Sequence, residues 1–393
     1  MKAMDQEIAA RGVMRSALLS HVKRVVVKIG SGVISNAAGL ETERIAALSA
    51  DVCHLLDRGL EVVIVSSGAV AAGKGLLGIV GRPQTIPQKQ AAAAIGQTRI
   101  IRGYRETFQD HNYNVAQVLL TRDDLSNRRR YLNARNTVMT LLEYGVTPIV
   151  NENDTVVVEE IRFGDNDNLS ALVTNLVEAD LLIILSDVDG LFDKDPTSHP
   201  DAELIPIVER VTPAIEALGG KSRGVLGTGG MGTKLKAAKK AALSGVGTLI
   251  VNGRSKHILA RIFDGEDVGT YVLPAQSKLT AKKHWIAFSK KPRGKLLIDE
   301  GGQAAVVKHG KSLLPSGICG VDGGFERGDA VRLCDRDGHE FARGVISYSL
   351  TEVLQIMGKQ CAEIEKILGY KYRDEVVCRD DLVLTQDEEE EVD

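Results

Sequence analysis

Two clusters of small polar side chains between residues 149 and 172 offer the donors and acceptors that bind a small polar ligand. The four residues from Asn151 to Asp154 directly follow the apolar run 146–150, which predicts a buried strand. In an open α/β sheet, ligands bind at the carboxyl ends of the strands. The sequence therefore predicts a binding site here, although a plain turn explains such a cluster as well.

The second cluster, residues 165–168, places two aspartates and two asparagines before a helix-periodic segment. Asp and Asn in this position predict a helix cap. The alternate Asp165 and Asp167 also suit a calcium loop, but Leu169 and Ser170 stand where an EF-hand needs an acidic residue and a glycine. A calcium loop is therefore excluded, and a cap and a ligand site both stay open.

The glycines Gly30 and Gly32 follow a β-branched run, residues 22–29, in which Lys28 lies near the end. Glycine after a strand lets backbone amides approach a phosphate closely. An ordinary strand-to-helix turn with a solvent-directed lysine is the alternative.

A second glycine-rich segment, residues 227–234 (GTGGMGTK), leads into a helical stretch and predicts an anion site at a helix N-terminus. It is not an ordinary Walker loop, because Thr233 precedes Lys234 and no strand leads in. A cation in the first helical turn opposes the helix dipole by roughly 0.3 to 1 kcal/mol. Since a bound anion would remove that penalty, Lys234 favours phosphate binding.

Two further predicted strands, residues 61–65 and 181–185, also end in polar side chains. Ser67 follows the first strand and could donate to a ligand or cap the next helix. Ser186 and Asp187 follow the second and could face a nucleotide or form a turn.

Length and composition limit the class of protein. A chain of 393 residues predicts two domains. With 44% hydrophobic residues and a formal net charge of −3, the composition indicates a soluble protein and does not suggest binding to nucleic acid or to a membrane. Five cysteines without a C-x-x-C pair argue against a zinc site and predict a reduced, cytoplasmic protein. The start of the chain lacks the apolar core of a secretory signal, and no run reaches the length of a membrane span.

Strand and helix patterns alternate up to about residue 275, which predicts a parallel sheet with crossover helices. Within it, the basic run 128–130 is interpreted as a solvated loop before a helix that starts near Asn133. From Gly294 onward, short apolar runs (KLLID, QAAVV, AVRLC, GVISYS) between turn residues predict a small β-rich domain, and the acidic ending predicts disorder.

The segments VVVKIGSG, VSSGAVAAG, RRRYLNARN, IVNENDTV, FGDNDNLSAL, LSDVDGLF and GTGGMGTKLKAA together resemble the glutamate-phosphorylating members of the amino acid kinase family. Residues 293–369 resemble a PUA domain. The resemblance implies an α/β fold, an open α/β/α sandwich on a mainly parallel sheet, followed by a small β-rich PUA-like domain. It places the catalytic domain at 20–275 and the PUA-like domain at 290–370, with terminal extensions at 1–19 and 371–393.

The resemblance also implies ATP and Mg²⁺, phosphorylation of the side-chain carboxylate of L-glutamate to γ-glutamyl phosphate, and a place at the start of proline biosynthesis. It implies inhibition by proline and hand-over of the product to glutamyl phosphate reductase, and we expect a homo-oligomer. ATP would be bound by the residues Lys28, Ser186, Asp187, Thr228, Gly229, Gly230, Met231, Gly232, Thr233 and Lys234. Glutamate would be bound by Ser67, Asn151, Asp154 and Asn166. Gly32 departs from the family pattern, in which serine or threonine is common, so a side-chain phosphate contact is expected to be missing there.

Phosphoryl transfer to a carboxylate requires cations that offset the repulsion between two anions, and it requires no general base. A carboxylate nucleophile is already ionised at neutral pH, but it must come within about 3.5 Å of an anionic phosphate. Lys28, Lys234 and Mg²⁺ held mainly by the ATP phosphates would offset that repulsion, and Asp167 would hold the two ammonium groups or touch the metal. Asp154 suits the substrate ammonium group, and the amides of Asn151 and Asn166 suit its α-carboxylate.

Two alternatives remain from the sequence. A sister kinase of the same fold could act on aspartate, acetylglutamate or UMP. The PUA-like domain could instead bind RNA, but residues 293–359 contain nine Lys/Arg and nine Asp/Glu, which gives no basic surface.

Overall fold

Apolar, β-branched runs form the central strands of the first of two units. The computed structural model describes residues 17–36, 39–79, 81, 83–156, 166–220, 230–275 and 292–385. The chain divides into the units Met1–Ser277 and Lys278–Asp393.

The strands of the first unit are β1 Arg24–Ile29, β2 Ser35–Asn36, β3 Gly39–Leu40, β4 Glu61–Val65, β5 Asn114–Leu120, β6 Val146–Glu152, β7 Leu181–Ser186, β8 Ile207–Val208, β9 Gly247–Asn252 and β10 Thr270–Val272. Its helices are α1 Ser31–Ile34, α2 Thr42–Asp57, α3 Ala69–Lys74, α4 Ile86–Asp110, α5 Arg122–Ser126, α6 Arg128–Glu143, α7 Asn166–Leu176, α8 Pro213–Leu218, α9 Met231–Leu243 and α10 Ile258–Phe263.

The main sheet has eight strands in the order β5-β6-β4-β1-β7-β9-β10-β8. Strand β10 pairs with β9 in antiparallel fashion, whereas the other neighbours among the described strands pair in parallel. The mainly parallel sheet that the sequence predicts is therefore confirmed. Since β6, β4, β1 and β7 are consecutive neighbours, their carboxyl ends meet at one edge of the sheet.

Alternating side chains of the central strands bury two separate apolar layers. Val25, Val27 and Ile29 pack on one face, against the layer that includes residues of α2 and α4. Val26 lies on the opposite face with residues of α6, α7 and α9. Helices therefore cover both faces of the sheet, which confirms the α/β/α arrangement.

Two helix starts differ from the predictions. Helix α6 begins at Arg128, because Asn127 Oδ1 accepts a hydrogen bond of 3.2 Å from the Arg130 N–H and caps the helix one turn earlier than expected. The interpretation of residues 128–130 as a loop is therefore wrong. Helix α7 begins at Asn166, so Asn166 and Asp167 lie inside its first turn.

The second unit contains β11 Gly294–Ile298, α11 Glu300–Val307, β12 Ile318–Gly323, β13 Ala330–Cys334, β14 Glu340–Ile346, α12 Leu350–Ile356, α13 Ile364–Leu368 and β15 Val377–Leu384. Its five strands form one sheet in the order β12-β11-β13-β14-β15. The β-rich character predicted for this region is confirmed.

Two details of the second unit differ from the sequence prediction. The run QAAVV is part of helix α11 instead of a strand, because Asp299 Oδ1 accepts a hydrogen bond of 2.7 Å from the Gly302 N–H and starts a helix there. Strand β15 lies beyond residue 370, where a terminal extension is predicted, yet it pairs with β14 and buries Val377 in the core.

Within the described ranges, the longest helices are too polar, and the apolar ones too short, for any of them to cross a membrane.

Candidate active site

A buried charge cluster lies at the carboxyl end of β1. Asp167 is fully buried, and its Oδ1 is 2.5 Å from the Nζ of Lys28, while its Oδ2 is 3.7 Å from the Nζ of Lys234. The hydroxyl of Thr233 lies 2.6 Å from Oδ2 as well. The structure therefore brings together all three residues predicted to be catalytic, from β1, α7 and α9.

The local fold explains why this carboxylate is ionised. Burial alone would raise the pKa of Asp167, but the ammonium groups of Lys28 and Lys234 outweigh burial, and its pKa lies below the ordinary value. Its place in the first turn of α7 adds the favourable end of the helix dipole. Burial lowers the pKa of Lys234, against the attraction of Asp167 and Asp187. The cluster has two positive charges and one negative charge when all three groups are ionised.

Asp187 lies beside the glycine turn that follows β1. A side chain added at Gly32 would place its Cβ 3.1 Å from Asp187 Oδ2, which is tighter than an ordinary contact. A side chain at position 32 would therefore require the Asp187 carboxylate to move by a few tenths of an ångström. Ser186 is buried, and its hydroxyl lies 3.3 Å from Asp187 Oδ1.

Amides from three elements meet at the neighbouring strand ends. Asn166 Nδ2 donates to the Ser66 carbonyl at 2.6 Å, to Ser67 Oγ at 2.9 Å and to Asn151 Oδ1 at 3.0 Å. Asn151 is buried, and its Nδ2 donates to Gln97 Oε1 at 2.8 Å. Three of the residues predicted to bind glutamate, Ser67, Asn151 and Asn166, are therefore in one hydrogen-bonded group.

The hydrogen bonds of Asn166 bear on the role that is expected of its side chain. The two hydrogens of its Nδ2 are already shared among three protein acceptors, so none is left for a substrate carboxylate. Its Oδ1 accepts no hydrogen bond from another described residue. Asn166 therefore suits a substrate donor, such as an ammonium group, whereas donation to the α-carboxylate, as predicted from the sequence, would require Nδ2 to give up one of these protein acceptors.

Ser67 does not cap the helix that follows it. The N-cap of α3 is Gly68, with a φ of 92° that glycine adopts readily, and no side chain of the described ranges caps that helix. Ser67 Oγ accepts from Asn166, and its own proton has no acceptor among the described residues. Its hydroxyl is therefore able to donate to a bound anion.

Asp154 stands apart from both groups. No hydrogen bond or ion pair joins its carboxylate to another described residue, and burial raises its pKa to about 6. A half-buried carboxylate that pairs with no described cation favours the binding of a cationic group.

The glycine-rich segment is described from Gly230 onward. Gly230 precedes α9, and Met231, Gly232 and Thr233 form its first turn, which no side chain in the described part of the chain caps. The Thr233 N–H donates to the Gly230 carbonyl at 3.1 Å, whereas no hydrogen bond to a described residue is recorded for the N–H groups of Met231 and Gly232, which is consistent with the predicted anion site. Thr228 and Gly229 lie outside the described residues.

Gln97, Tyr104 and Arg254 also support the site, although the sequence interpretation did not select them. The buried face of α4 includes Ala93, Gln97, Ile100, Tyr104 and Phe108. A polar Gln97 in that apolar repeat is the signal that a sequence analysis could have used. Arg254 has no such signal, because it lies in a turn after β9.

Arg254 holds the backbone of the glycine turn. Its guanidinium donates to the carbonyl of Gly32 at 2.8 and 3.0 Å and reaches the carbonyl of Ser35 at 3.4 Å. Glu41 pairs with the same group at 2.9 Å. The turn after β1 is therefore tied to the end of β9.

The described residues of this site do not form a cage for Mg²⁺. Both oxygens of Asp167 already face ammonium or hydroxyl groups in a fully buried position. Among the residues that the structure describes, the group with metal-ligand geometry is Asp335, Asp337 and His339, in the other unit. A metal in this site would therefore depend on oxygen ligands of a bound nucleotide.

Comparisons with protein families, known sequences and solved structures give several matches to this chain. The model of the amino acid kinase family matches residues 23–252, and that of the PUA domain matches residues 294–368. The glutamate 5-kinase of Syntrophotalea carbinolica is 62% identical over 94% of this chain and 100% of its own, and that of Geobacter sulfurreducens is 55% identical over the same shares. The solved UMP kinase of Bacillus anthracis covers 65% of this chain and 97% of its own, at 17% identity and a TM-score of 0.46.

The family match spans more than half of the chain, and the relatives match it over nearly its whole length. The chain therefore belongs to the amino acid kinase family and carries a PUA domain after its kinase domain.

Proposed function

We propose that this chain transfers the γ-phosphoryl group of ATP to the side-chain carboxylate of L-glutamate, which gives γ-glutamyl phosphate and begins proline biosynthesis. The observation that carries the proposal is the buried Lys28–Asp167–Lys234 cluster, adjacent in sequence to the Asn166 amide group. The names of the full-length relatives support the choice of glutamate.

ATP would lie with its phosphates between the glycine turn after β1 and the start of α9. Lys28 Nζ lies 3.7 Å from the position of a Cβ at Gly30, Lys234 is in the first turn of α9, and the N–H groups of Met231 and Gly232 would add partial positive charge. Ser186 and Asp187 at the end of β7 would contact the nucleotide as well. Mg²⁺, held mainly by the phosphates, would supply further positive charge.

Glutamate would be bound at the ends of β4 and β6. The Ser67 hydroxyl suits the α-carboxylate, while Asn166 Oδ1 and the Asp154 carboxylate, which pairs with no other described residue, suit the α-ammonium group. This polarity directs the side-chain carboxylate away from Asp154 and leaves it free to reach the cations.

No base is needed, since the attacking carboxylate is already ionised. The repulsion between two anions about 3.5 Å apart is roughly 4 to 5 kcal/mol at an effective dielectric near 20. Two ammonium groups fixed by Asp167 offset that repulsion and favour the charge that spreads over the phosphoryl oxygens. Catalysis is therefore positioning and electrostatic stabilisation.

The proposal also includes inhibition by proline and hand-over of the product to glutamyl phosphate reductase, which the family resemblance implies. It further includes a homo-oligomeric state and a cytoplasmic location. The balanced charge of residues 293–359 offers no support for RNA binding as the main function.

The test is an assay with ATP and Mg²⁺ in which hydroxylamine traps an acyl phosphate as a hydroxamate. L-glutamate, L-aspartate and UMP are compared as acceptors at equal concentration. Hydroxamate formed from glutamate with matching ADP release is the expected result. ATP consumption with another acceptor and none with glutamate would move the activity to a sister kinase.

A further inference from the structure

We infer that Gln97, on helix α4, is a positioning residue for glutamate: its Oε1 accepts from the buried Nδ2 of Asn151 and so holds the side chain of Asn151, and through it that of Asn166, in place. This inference rests on the proposed function. Gln97 itself lies behind the site, with 7% of its surface exposed.

The orientation of each amide is determined by main-chain groups. Asn166 must present its Nδ2 to the Ser66 carbonyl, 2.6 Å away, because a carbonyl oxygen only accepts. Asn151 must present its Oδ1 to the Glu152 N–H, 2.9 Å away, because that group only donates. The same Oδ1 accepts from Asn166 at 3.0 Å.

These two orientations leave Asn151 Nδ2 as a buried donor that needs an acceptor. Gln97 Oε1 is that acceptor, at 2.8 Å. The side chains of Asn166, Asn151 and Gln97 therefore form a directional chain in which each NH₂ group donates to the next oxygen. Gln97 Nε2 ends the chain, buried and without a partner among the described residues.

The backbone of α4 beside Gln97 lies close to the segment after β4, which includes Ser67. A Cβ at Gly96 would lie 1.8 Å from the carbonyl oxygen of Ala69, so α3 and α4 are in direct backbone contact next to Gln97. Helix α3 starts directly after Ser67 and Gly68. The position of Gln97 relative to the glutamate site is therefore fixed by packing.

A second polar group on the same face of α4 supports the neighbouring strand end. The hydroxyl of Tyr104, which is fully buried, lies 3.2 Å from Ser66 Oγ. The Ser66 carbonyl in turn accepts from Asn166. Helix α4 is therefore connected to Asn166 both through Asn151 and through Ser66. Neither route includes Lys28, Asp167 or Lys234, so the effect should fall on glutamate and spare ATP.

The experiment is steady-state kinetics of Gln97→Met, which keeps the length of the side chain and removes the acceptor. We expect kcat/KM for L-glutamate to fall by about 10- to 100-fold, since a small misplacement of a substrate can cost that much. KM for ATP should stay within about twofold. The matched control is Ile100→Val, a fully buried residue of the same helix, which should change neither parameter.

A double-mutant cycle tests whether Gln97 acts through Asn151. Adding Gln97→Met to Asn151→Ala should cause no further loss, because the donor from which Gln97 Oε1 accepts is already gone. Additive losses, equal changes in kcat/KM for glutamate and for ATP, or an unchanged kcat/KM for glutamate would each overturn the inference. If Gln97→Met does not fold, Gln97→Ala replaces it in the same cycle.

The wild-type enzyme separates this inference from the proposed function. If the wild type forms no hydroxamate from glutamate, the proposed function fails. If the wild type is active and Gln97→Met matches it, only the role of Gln97 fails. Glutamate-induced stabilisation against heating gives a second readout, and Gln97→Met should reduce it while Ile100→Val should not.

Discussion

Replacing Asp154 with asparagine should raise the free energy of unfolding and lower kcat/KM for glutamate. The carboxylate is half-buried, has no cationic partner among the described residues, and has a pKa raised to about 6 by burial. The substitution would keep the shape of the side chain and remove its charge. The substrate ammonium group would then lose the partner that we propose for it.

The magnitude follows from the pKa. A value of about 6 lies roughly 2 above the ordinary value near 4, and a difference of one corresponds to about 1.4 kcal/mol. The ionised carboxylate therefore lowers the free energy of unfolding by up to about 3 kcal/mol. Because the side chain is partly exposed, solvent screens this cost, and we expect Asp154→Asn to gain about 1 to 2 kcal/mol at pH 8.

The gain should depend on pH in a defined direction. Between about pH 4 and pH 6 the folded wild type binds more protons at Asp154 than the unfolded chain does, so its stability falls as the pH rises through this window. Asparagine does not titrate. The advantage of Asp154→Asn should therefore be absent near pH 4, grow towards pH 6 and stay constant above about pH 7.

Thermal unfolding of both proteins at pH 4.5 and pH 8, without substrate, measures the effect. A gain of about 2 to 8 °C in Tm is expected at pH 8 for a unit of this size. In the kinetic assay, kcat/KM for glutamate should fall by about 10- to 150-fold, the worth of a charged hydrogen bond. The acid limb of the wild-type profile near pH 6 should also disappear. A Tm gain that is equal at both pH values, or a loss at pH 8, would refute the reasoning.

Three further predictions concern other groups of the site and its supporting helices. Asp167→Asn should lower kcat by at least about 100-fold in the hydroxamate assay, because two buried ammonium groups lose their counter-charge; near-normal turnover would contradict that. Arg254→Met should raise KM for ATP severalfold and spare KM for glutamate, because only the glycine turn is loosened. Gly96→Ala should destabilise by about 1 to 3 kcal/mol in denaturant unfolding, whereas Gly103→Ala on the same helix, with its Cβ at an ordinary 3.4 Å, should not.

The sheet could be predicted from the sequence because local patterns determine it. The run 61–65 forms β4 with the predicted bounds, and the predicted strand 181–185 is one residue shorter than β7. Continuous apolar runs followed by small polar residues indicate buried parallel strands whose ends meet. The meeting of Lys28, Asp167 and Lys234 was an expectation from the family resemblance, and the structure brings the three residues together.

The sequence could not predict whether the side-chain amide of Asn166 presents a donor or an acceptor to the substrate. Whether Asn166 donates to a substrate or accepts from it depends on the Ser66 carbonyl, which is 100 residues away in sequence. The start of α6 was missed for a related reason, since Asn127 becomes a cap only when its side chain turns back to the Arg130 N–H. Such contacts depend on three-dimensional placement, which composition and period do not encode.

The first two residues of α7 connect the two halves of the site. Asn166 contacts the ends of β4 and β6, where glutamate would be bound, and Asp167 contacts Lys28 and Lys234, where the phosphates would be bound. Two ammonium groups alone in a buried place would repel each other, and one would tend to lose its proton. The carboxylate of Asp167 offsets part of that repulsion, and when all three groups are ionised the cluster keeps a net positive charge for an anion. Since these residues are neighbours on one helix, any movement of the start of α7 changes substrate orientation and cation placement together.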